Sequence, residues 1–163
     1  MNKVTMSGIA IMALMAVVGV LVQYDGRVAE AHCQVPCGIY DDPARLKSLY
    51  EDALTIEKAI NNIQKLAGKH DAASLNQLSR WVTAKEEHAT HIIDVVSEYF
   101  LTQKVKPVMV GQPGHGDYLK KLAGHHVVMV AAMKCKQDAD LETVAVLRGA
   151  IHAMEHYYVQ HNH

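Results

Sequence analysis

Apolar residues recur at intervals of three and four along most of the chain after residue 42, which is the spacing of one face of an α-helix. The first such series runs from Leu46 through Ile56 to Leu66. It follows Pro43, which suits a first helical turn, and it stops before Gly68, which suits a helix end. We therefore predict a first helix over residues 43–68.

A second, longer helix is predicted to begin at Asp71 or Ser74 and to continue through Phe100. Its apolar stripe consists of Leu75, Leu78, Trp81, Val82, His88, Ile92, Val95, Val96, Tyr99 and Phe100. Residues 104–116 contain two prolines and three glycines, which predicts a loop after this helix.

Two further helices are predicted over residues 117–136 and 140–160, with Asp138 or Asp140 as the N-cap of the last one. No part of the chain after residue 31 has the alternation typical of a strand. Four helices with short connections favour an all-α fold, an antiparallel four-helix bundle, which we assign to residues 43–163.

The first 31 residues have the organisation of a cleavable export leader. Lys3 precedes a nearly unbroken apolar run over residues 9–22, which is short for a membrane span. Ala29-Glu30-Ala31 fits the small-x-small pattern before a signal peptidase cut. We expect removal of residues 1–31 by a leader-removing peptidase and a periplasmic or extracellular location. The alternatives are a membrane anchor, since residues 23–31 are long and polar for a cleavage region, or a cytoplasmic protein.

Cleavage after Ala31 makes His32 the amino terminus of the sequence His-Cys-Gln-Val-Pro-Cys-Gly-Ile-Tyr. The His32 amine, the Cys33 amide nitrogen and the thiolates of Cys33 and Cys37 can then lie in one plane around an ion, with the His32 imidazole as an axial ligand. A planar nitrogen and sulfur set suits Ni(II) or Cu(II), whereas zinc prefers a tetrahedral site. We therefore predict a metal-binding hook over residues 32–42.

The flanking residues and the donor types both support this hook. Pro36 and Gly38 favour the tight chain reversal that brings two sulfurs to one ion. Anionic thiolate and amidate donors make the higher oxidation state of the metal accessible, which predicts one-electron redox chemistry. The alternative is a local disulfide, or two unrelated thiols, at Cys33 and Cys37.

The hook resembles the nickel hook of nickel-containing superoxide dismutases. The resemblance continues through Asp-Asp-Pro-Ala-Arg at residues 41–45 and returns at residues 80–89 and 97–103, so it extends over most of the chain after residue 31. It implies an antioxidant enzyme that disproportionates superoxide by Ni(II)/Ni(III) cycling, with one nickel ion per subunit. It also implies a helical bundle with the hook outside it, assembled as a homohexamer.

Two tyrosines are candidates for a catalytic role. Tyr40 lies three residues after Cys37, where its phenol can stand over the open metal face, bind a small oxygen species or water, and exclude larger anions. Packing at the base of the hook is the alternative. The resemblance favours the gating role and implies that Tyr99 meets Tyr40, although Tyr99 fits a core position equally well.

The family holds its N-terminal imidazole with a glutamate and an arginine, and Glu51 and Arg80 are the candidates in this chain. Many members have aspartate where this chain has Gln34, which keeps hydrogen bonding but removes a negative charge. Positive potential near the site would attract superoxide, and its candidate sources are Lys85, Lys104 and Lys106.

Other groups of metal-binding residue types have simpler interpretations. His152, Glu155 and His156 spell an inverted zinc-protease motif, but a short motif without its scaffold is more often a set of surface or interface residues. Histidine pairs at His88 and His91, and at residues 125 and 126, offer a second metal site, but core and surface roles are favoured because no Glu-x-x-His motif follows residue 31.

The third cysteine, the overall charge and the missing motifs argue against several other functions. Cys135 is a lone cysteine on an apolar helix, which indicates packing. The net charge of -1 gives no electrostatic reason to bind nucleic acid, and haem-attachment and phosphate-loop motifs are absent. The rival functions are an exported non-enzymatic Ni or Cu carrier or sensor, and a membrane-anchored structural bundle with an inert hook.

Overall fold

The computed structural model describes residues 38–159, and this part of the chain is helical, without strands. Its helices are α1, Asp42–Leu66; α2, Ala72–Asp94, which runs directly into a π-helix at Val95–Lys104; α3, His115–Gln137; and α4, Leu141–Glu155. Helix α1 packs against α2 and α4, and α3 packs against the same two helices, so the four form a bundle.

Contacts between α1 and α4 establish that these helices are antiparallel. Tyr50, early in α1, donates a hydrogen bond to Glu155 at the end of α4 over 2.8 Å. Gln64, late in α1, donates to the carbonyl of Ala139 just before α4 over 2.8 Å. The predicted all-α bundle is confirmed for the described residues, and none of their helices is long and apolar enough to cross a membrane.

Aspartates define the starts of three helices. The side chains of Asp41, Asp71 and Asp140 each accept a backbone N–H from the first turn that follows. Asp140 is therefore the cap of α4, and Asp138, the other predicted candidate, ends α3.

The core is aliphatic, with one phenylalanine at the end where the π-helix lies. Its largest fully buried apolar side chains are Leu46, Leu49, Ile56, Ile60, Ile92, Val96, Phe100, Val128, Leu147, Ile151 and Met154. Helix α4 ends at Glu155, earlier than predicted, because residues 156–158 form a turn in which the N–H groups of Tyr157 and Tyr158 bond back to the end of the helix. This turn directs Tyr158 onto Phe100, with ring centroids 4.5 Å apart.

The first half of α2 departs from the predicted apolar stripe. Leu75 is 47% exposed and Val82 is 40% exposed, and the first buried residue of α2 is Lys85. The Lys85 ammonium donates to the carbonyls of Cys135 and Lys136, each over 2.6 Å. Because α3 ends at that level, the preceding turns of α2 lie beyond its reach.

Candidate functional site

The predicted metal ligands His32, Cys33 and Cys37 lie outside the described residues, as does Gln34. The described chain begins at Gly38, directly after Cys37, with a φ of +76° that side-chain-bearing residues rarely adopt. The described part of the site therefore begins after Cys37.

Tyr40 and Tyr99 meet although they are far apart in sequence. Their ring centroids are 5.8 Å apart with an interplanar angle of 73°, an edge-to-face contact. Tyr40 is 43% exposed, whereas Tyr99 is 3% exposed and packs in the core. The expected meeting of these tyrosines is thus present, with Tyr40 on the outside and Tyr99 beneath it.

A carboxylate missed as a functional residue in the sequence joins Tyr99 to a lysine that also contacts Tyr40. The Tyr99 hydroxyl donates to Oδ1 of Asp42 over 2.6 Å, and the Lys104 ammonium lies 3.1 Å from Oδ2. The same ammonium stands 4.6 Å from the centroid of the Tyr40 ring, a cation–π contact. We call Tyr40, Asp42, Tyr99 and Lys104 the Asp42 cluster. The sequence does not indicate a site role for Asp42, because an aspartate before Pro43 is typical of an ordinary helix start.

The π-helix explains how Tyr99 and Lys104 reach one carboxylate. They are five residues apart, a spacing that the i→i+5 hydrogen bonds of a π-helix bring to one side, whereas an α-helix would separate them by more than a quarter turn. The bond from the Val105 N–H to the Phe100 carbonyl, 2.9 Å, has this i→i+5 pattern. Helices of this type are rare and occur often at functional sites.

The Asp42 cluster holds the Tyr99 hydroxyl in its protonated form. Burial raises the pKa of Tyr99 well above its ordinary value, and the hydrogen bond to Asp42 and the charge of that carboxylate raise it further. Tyr99 is therefore a hydrogen-bond donor across the physiological pH range, and the Lys104 charge offsets that of Asp42.

The other residues suggested by the resemblance lie on exposed surfaces. Glu51 is on the outer side of α1, 3.6 Å from Lys47 one turn away, and its side chain is 65% exposed. Arg80 is exposed on the first half of α2. Their expected partner, His32, is outside the described residues, so their role stays a prediction.

Of the three lysines suggested as sources of positive potential, Lys104 stands beside Tyr40. Lys106 donates to the carbonyl of Gln103 over 2.7 Å. The structure does not support this role for Lys85, because its ammonium is buried against the C-terminal end of α3, where a positive charge is favourable.

Cys135 and His125 have the packing roles that were favoured. Cys135 is completely buried and free, and burial raises the pKa of its thiol. His125 is completely buried, with Nδ1 2.6 Å from the Lys121 carbonyl and Nε2 2.5 Å from the Tyr158 hydroxyl. Burial lowers the pKa of His125, so the ring is neutral and its Nε2 accepts a hydrogen bond from the Tyr158 hydroxyl. The adjacent His126 is exposed.

The residues of the zinc-protease motif are otherwise engaged. The Glu155 carboxylate accepts the Tyr50 hydroxyl and lies 3.5 Å from Nδ1 of His152, whose side chain is 81% exposed. Nδ1 of His156 contacts the carbonyl of Ala153. This geometry favours the surface interpretation of the motif.

The pair formed by His88 and His91 shares one buried carboxylate. Oδ1 of Asp52 lies 2.7 Å from Nδ1 of His88, and Oδ2 lies 2.6 Å from Nδ1 of His91. We call these three residues the Asp52 cluster. Within residues 38–159, no group of three or more histidine, cysteine, aspartate or glutamate side chains is arranged to hold a metal ion.

Comparison with known proteins gives a family match. A search among curated proteins and a search among solved structures each gave no match. The family model of the nickel-containing superoxide dismutases matches residues 27–162 of the 163, a range that includes the predicted hook. The chain therefore belongs to the nickel-containing superoxide dismutase family and is an oxidoreductase that acts on superoxide.

Proposed function

We propose that this enzyme disproportionates superoxide at one nickel ion per subunit, held by the hook. The ligands would be the His32 amine and imidazole, the Cys33 amide nitrogen and the thiolates of Cys33 and Cys37. The donor set fits nickel, and because Cys135 is buried in the core, Cys33 and Cys37 are the sulfurs left for it. When bound, nickel supplies a Ni(II)/Ni(III) couple by which two superoxide ions and two protons become dioxygen and hydrogen peroxide.

The observation that carries the proposal is the contact between Tyr40 and Tyr99. Tyr40 lies only three residues after the ligand Cys37. The exposed Tyr40 ring restricts the approach of larger anions to the hook, and the Lys104 charge beside it attracts small ones. The Tyr99 hydroxyl is fixed on Asp42, so the Tyr99 ring is held in place behind Tyr40. The two tyrosines thus act as a gate, and their hydroxyls take part in delivering the protons that peroxide formation needs.

Removal of residues 1–31 is a chemical requirement of this site. In an uncleaved chain the nitrogen of His32 is an amide and cannot serve as the amine ligand. We propose export followed by cleavage after Ala31, which places the enzyme in the periplasm or outside the cell.

Exposed apolar side chains support assembly into a homo-oligomer. The resemblance to the family implies that this oligomer is a hexamer. Leu75 and Val82 are exposed on the first half of α2, and Val127, Val130 and Val146 line an apolar groove between α3 and α4. Apolar surface of this kind commonly marks contacts between proteins. Sedimentation of the mature nickel-loaded protein as a monomer would contradict this part of the proposal.

The proposal is tested by metal analysis, N-terminal sequencing and superoxide removal on protein from its native host. We expect a chain that begins at His32, contains one nickel ion, gives an Ni(III) resonance and destroys superoxide catalytically. Substitutions C33S and C37S should abolish both nickel binding and turnover, whereas C135A, which removes the buried thiol, should preserve both.

Three results would refute the nickel site. One is an active, metal-replete protein whose His32 nitrogen is still acylated. The second is full superoxide removal after both hook sulfurs have been replaced. The third is bound metal that exchanges readily and has no accessible one-electron couple, which would favour a carrier or sensor.

A further inference from the structure

The Asp52 cluster is a second place where metal-binding side chains are organised. Asp52 lies on α1 and is 6% exposed, while His88 and His91 project from α2 with side chains 39% and 50% exposed. Both carboxylate oxygens are used, one by each imidazole. Two half-exposed rings are therefore anchored from below by one buried anion.

This anchoring fixes which ring nitrogen carries the proton. An ionised carboxylate only accepts hydrogen bonds, so Nδ1 of His88 and Nδ1 of His91 must each donate a proton to Asp52. In the neutral rings Nε2 then keeps its lone pair. Neither Nε2 makes a hydrogen bond within the part of the chain that the structure describes. Both rings thus present an unprotonated nitrogen away from the buried carboxylate.

A carboxylate behind an imidazole is what metal-binding histidines commonly have. The N–H to carboxylate bond sets the tautomer, holds the ring orientation and makes the ligand nitrogen more basic. Purely structural pairing would need the same Nδ1 bonds but would not need the two Nε2 atoms to be accessible. The two histidines are three positions apart on the helix, which puts them on neighbouring positions of one face.

We propose that His88 and His91 bind a divalent transition-metal ion through their Nε2 atoms, and that Asp52 is the positioning residue for both rings. Zinc and copper are the ions that imidazole donors suit best here. The cluster supplies two protein nitrogens, and water completes the coordination. The site uses none of the hook residues, and the proposal does not depend on how the hook binds nickel.

The test is a Zn²⁺ titration of the full nickel-loaded protein by calorimetry, with the hook already occupied. We expect one further ion to bind. The double variant H88N/H91N should abolish that binding, because asparagine keeps an N–H near the position of Nδ1 for Asp52 but has no counterpart of Nε2. The matched control is H152A/H156A, which removes another exposed histidine pair and should leave the binding unchanged.

The substitution D52N tests the positioning role. It keeps the size of the side chain but leaves one acceptor oxygen in place of two, so one Nδ1–H loses its acceptor and the other bonds to a neutral oxygen. We expect the Zn²⁺ affinity to fall by about 10- to 100-fold. Circular dichroism and the midpoint of thermal unfolding without added metal establish that each variant is folded. In addition, Cu²⁺ bound at the site should show electron paramagnetic resonance couplings to two imidazole nitrogens that disappear in H88N/H91N.

Three outcomes would overturn the proposal. The nickel-loaded protein takes up no further Zn²⁺; the H88N/H91N variant binds it as tightly as the parent does; or H152A/H156A reduces binding as much as H88N/H91N does. The last outcome would mean adventitious capture by surface histidines.

Discussion

Two tyrosines in this bundle form nearly the same bond in different surroundings. The Tyr99 hydroxyl donates to Asp42 over 2.6 Å, and the Tyr50 hydroxyl donates to Glu155 over 2.8 Å. Each bond joins α1 to another helical segment, and in each case burial and the carboxylate raise the pKa of the tyrosine. The bond itself therefore does not distinguish a catalytic tyrosine from a structural one.

The two hydrogen bonds differ in the residues that surround them. Outside Tyr99 is the exposed ring of Tyr40, three residues after the last hook cysteine, and the carboxylate is shared with Lys104. The Tyr50 bond has His152 beside its carboxylate. If the Asp42 cluster serves the reaction, weakening its bond must change turnover, while weakening the Tyr50 bond must change stability alone.

We expect the largest effect on turnover from replacing the carboxylate of Asp42. D42N leaves Lys104 without its counter-charge and weakens the hold on the Tyr99 hydroxyl, so we expect superoxide turnover to fall by about tenfold, as for other residues that support metal-site groups. The matched substitution E155Q replaces the carboxylate that accepts the hydrogen bond of the Tyr50 hydroxyl with a neutral amide. It should leave turnover unchanged. Pulse-radiolysis kinetics on nickel-loaded protein measure both. Equal losses in the two variants would mean that the Asp42 cluster has no special role.

The tyrosines themselves give a smaller and sharper contrast. Y99F and Y50F each delete one hydroxyl and one hydrogen bond, so each should lower the free energy of unfolding by about 1 kcal/mol. Only Y99F should also lower turnover, because only Tyr99 lies against Tyr40. Urea denaturation gives the first quantity and superoxide kinetics the second. Unchanged turnover in Y99F would leave Tyr99 with a packing role.

The sequence predicts the helices well because periodicity and capping are local properties. The series from Leu46 to Leu66 and the cap at Asp140 are examples, and both appear in the structure. Burial is less predictable, since it depends on which neighbour reaches a given turn. Leu75 and Val82 fit a helical stripe, yet they are exposed because α3 ends at the level of Lys85.

The candidate site was predictable where the chemistry lies within a short sequence and less so where it depends on the fold. Tyr40 lies three residues after Cys37, so its proximity to the predicted ligands and the family resemblance both suggested it. Asp42 and Lys104 become partners only because the Val95–Lys104 segment forms a π-helix, for which the sequence offers no recognisable pattern. The shared use of Asp52 by His88 and His91 likewise needs two helices to be in register.

The charge of Lys104 should matter less than the bond that it supports. K104M removes a positive charge beside Tyr40 but keeps most of the apolar stem, so we expect turnover to fall by a few-fold and its dependence on ionic strength to weaken. The control is K120M, which removes a lysine whose side chain is 75% exposed and which pairs with Asp117 on α3. An ionic-strength dependence that is the same in both variants and the parent would exclude local attraction by Lys104.

The smallest expected effect is an alkaline loss of stability that both tyrosines share. Burial and Glu155 raise the pKa of Tyr50 to about 12, whereas in the unfolded chain a tyrosine loses its proton near pH 10. Above about pH 10 the unfolded chain therefore binds fewer protons than the folded one, and stability falls as pH rises. The same sign holds for Tyr99, whose pKa is also raised.

Urea denaturation as a function of pH should show the decline, and Y50F or Y99F should each make it shallower, because phenylalanine has no proton to lose. A decline of the same slope in both variants and the parent would mean that neither hydroxyl is held in its protonated form, which would weaken the case that Asp42 fixes Tyr99 as a donor.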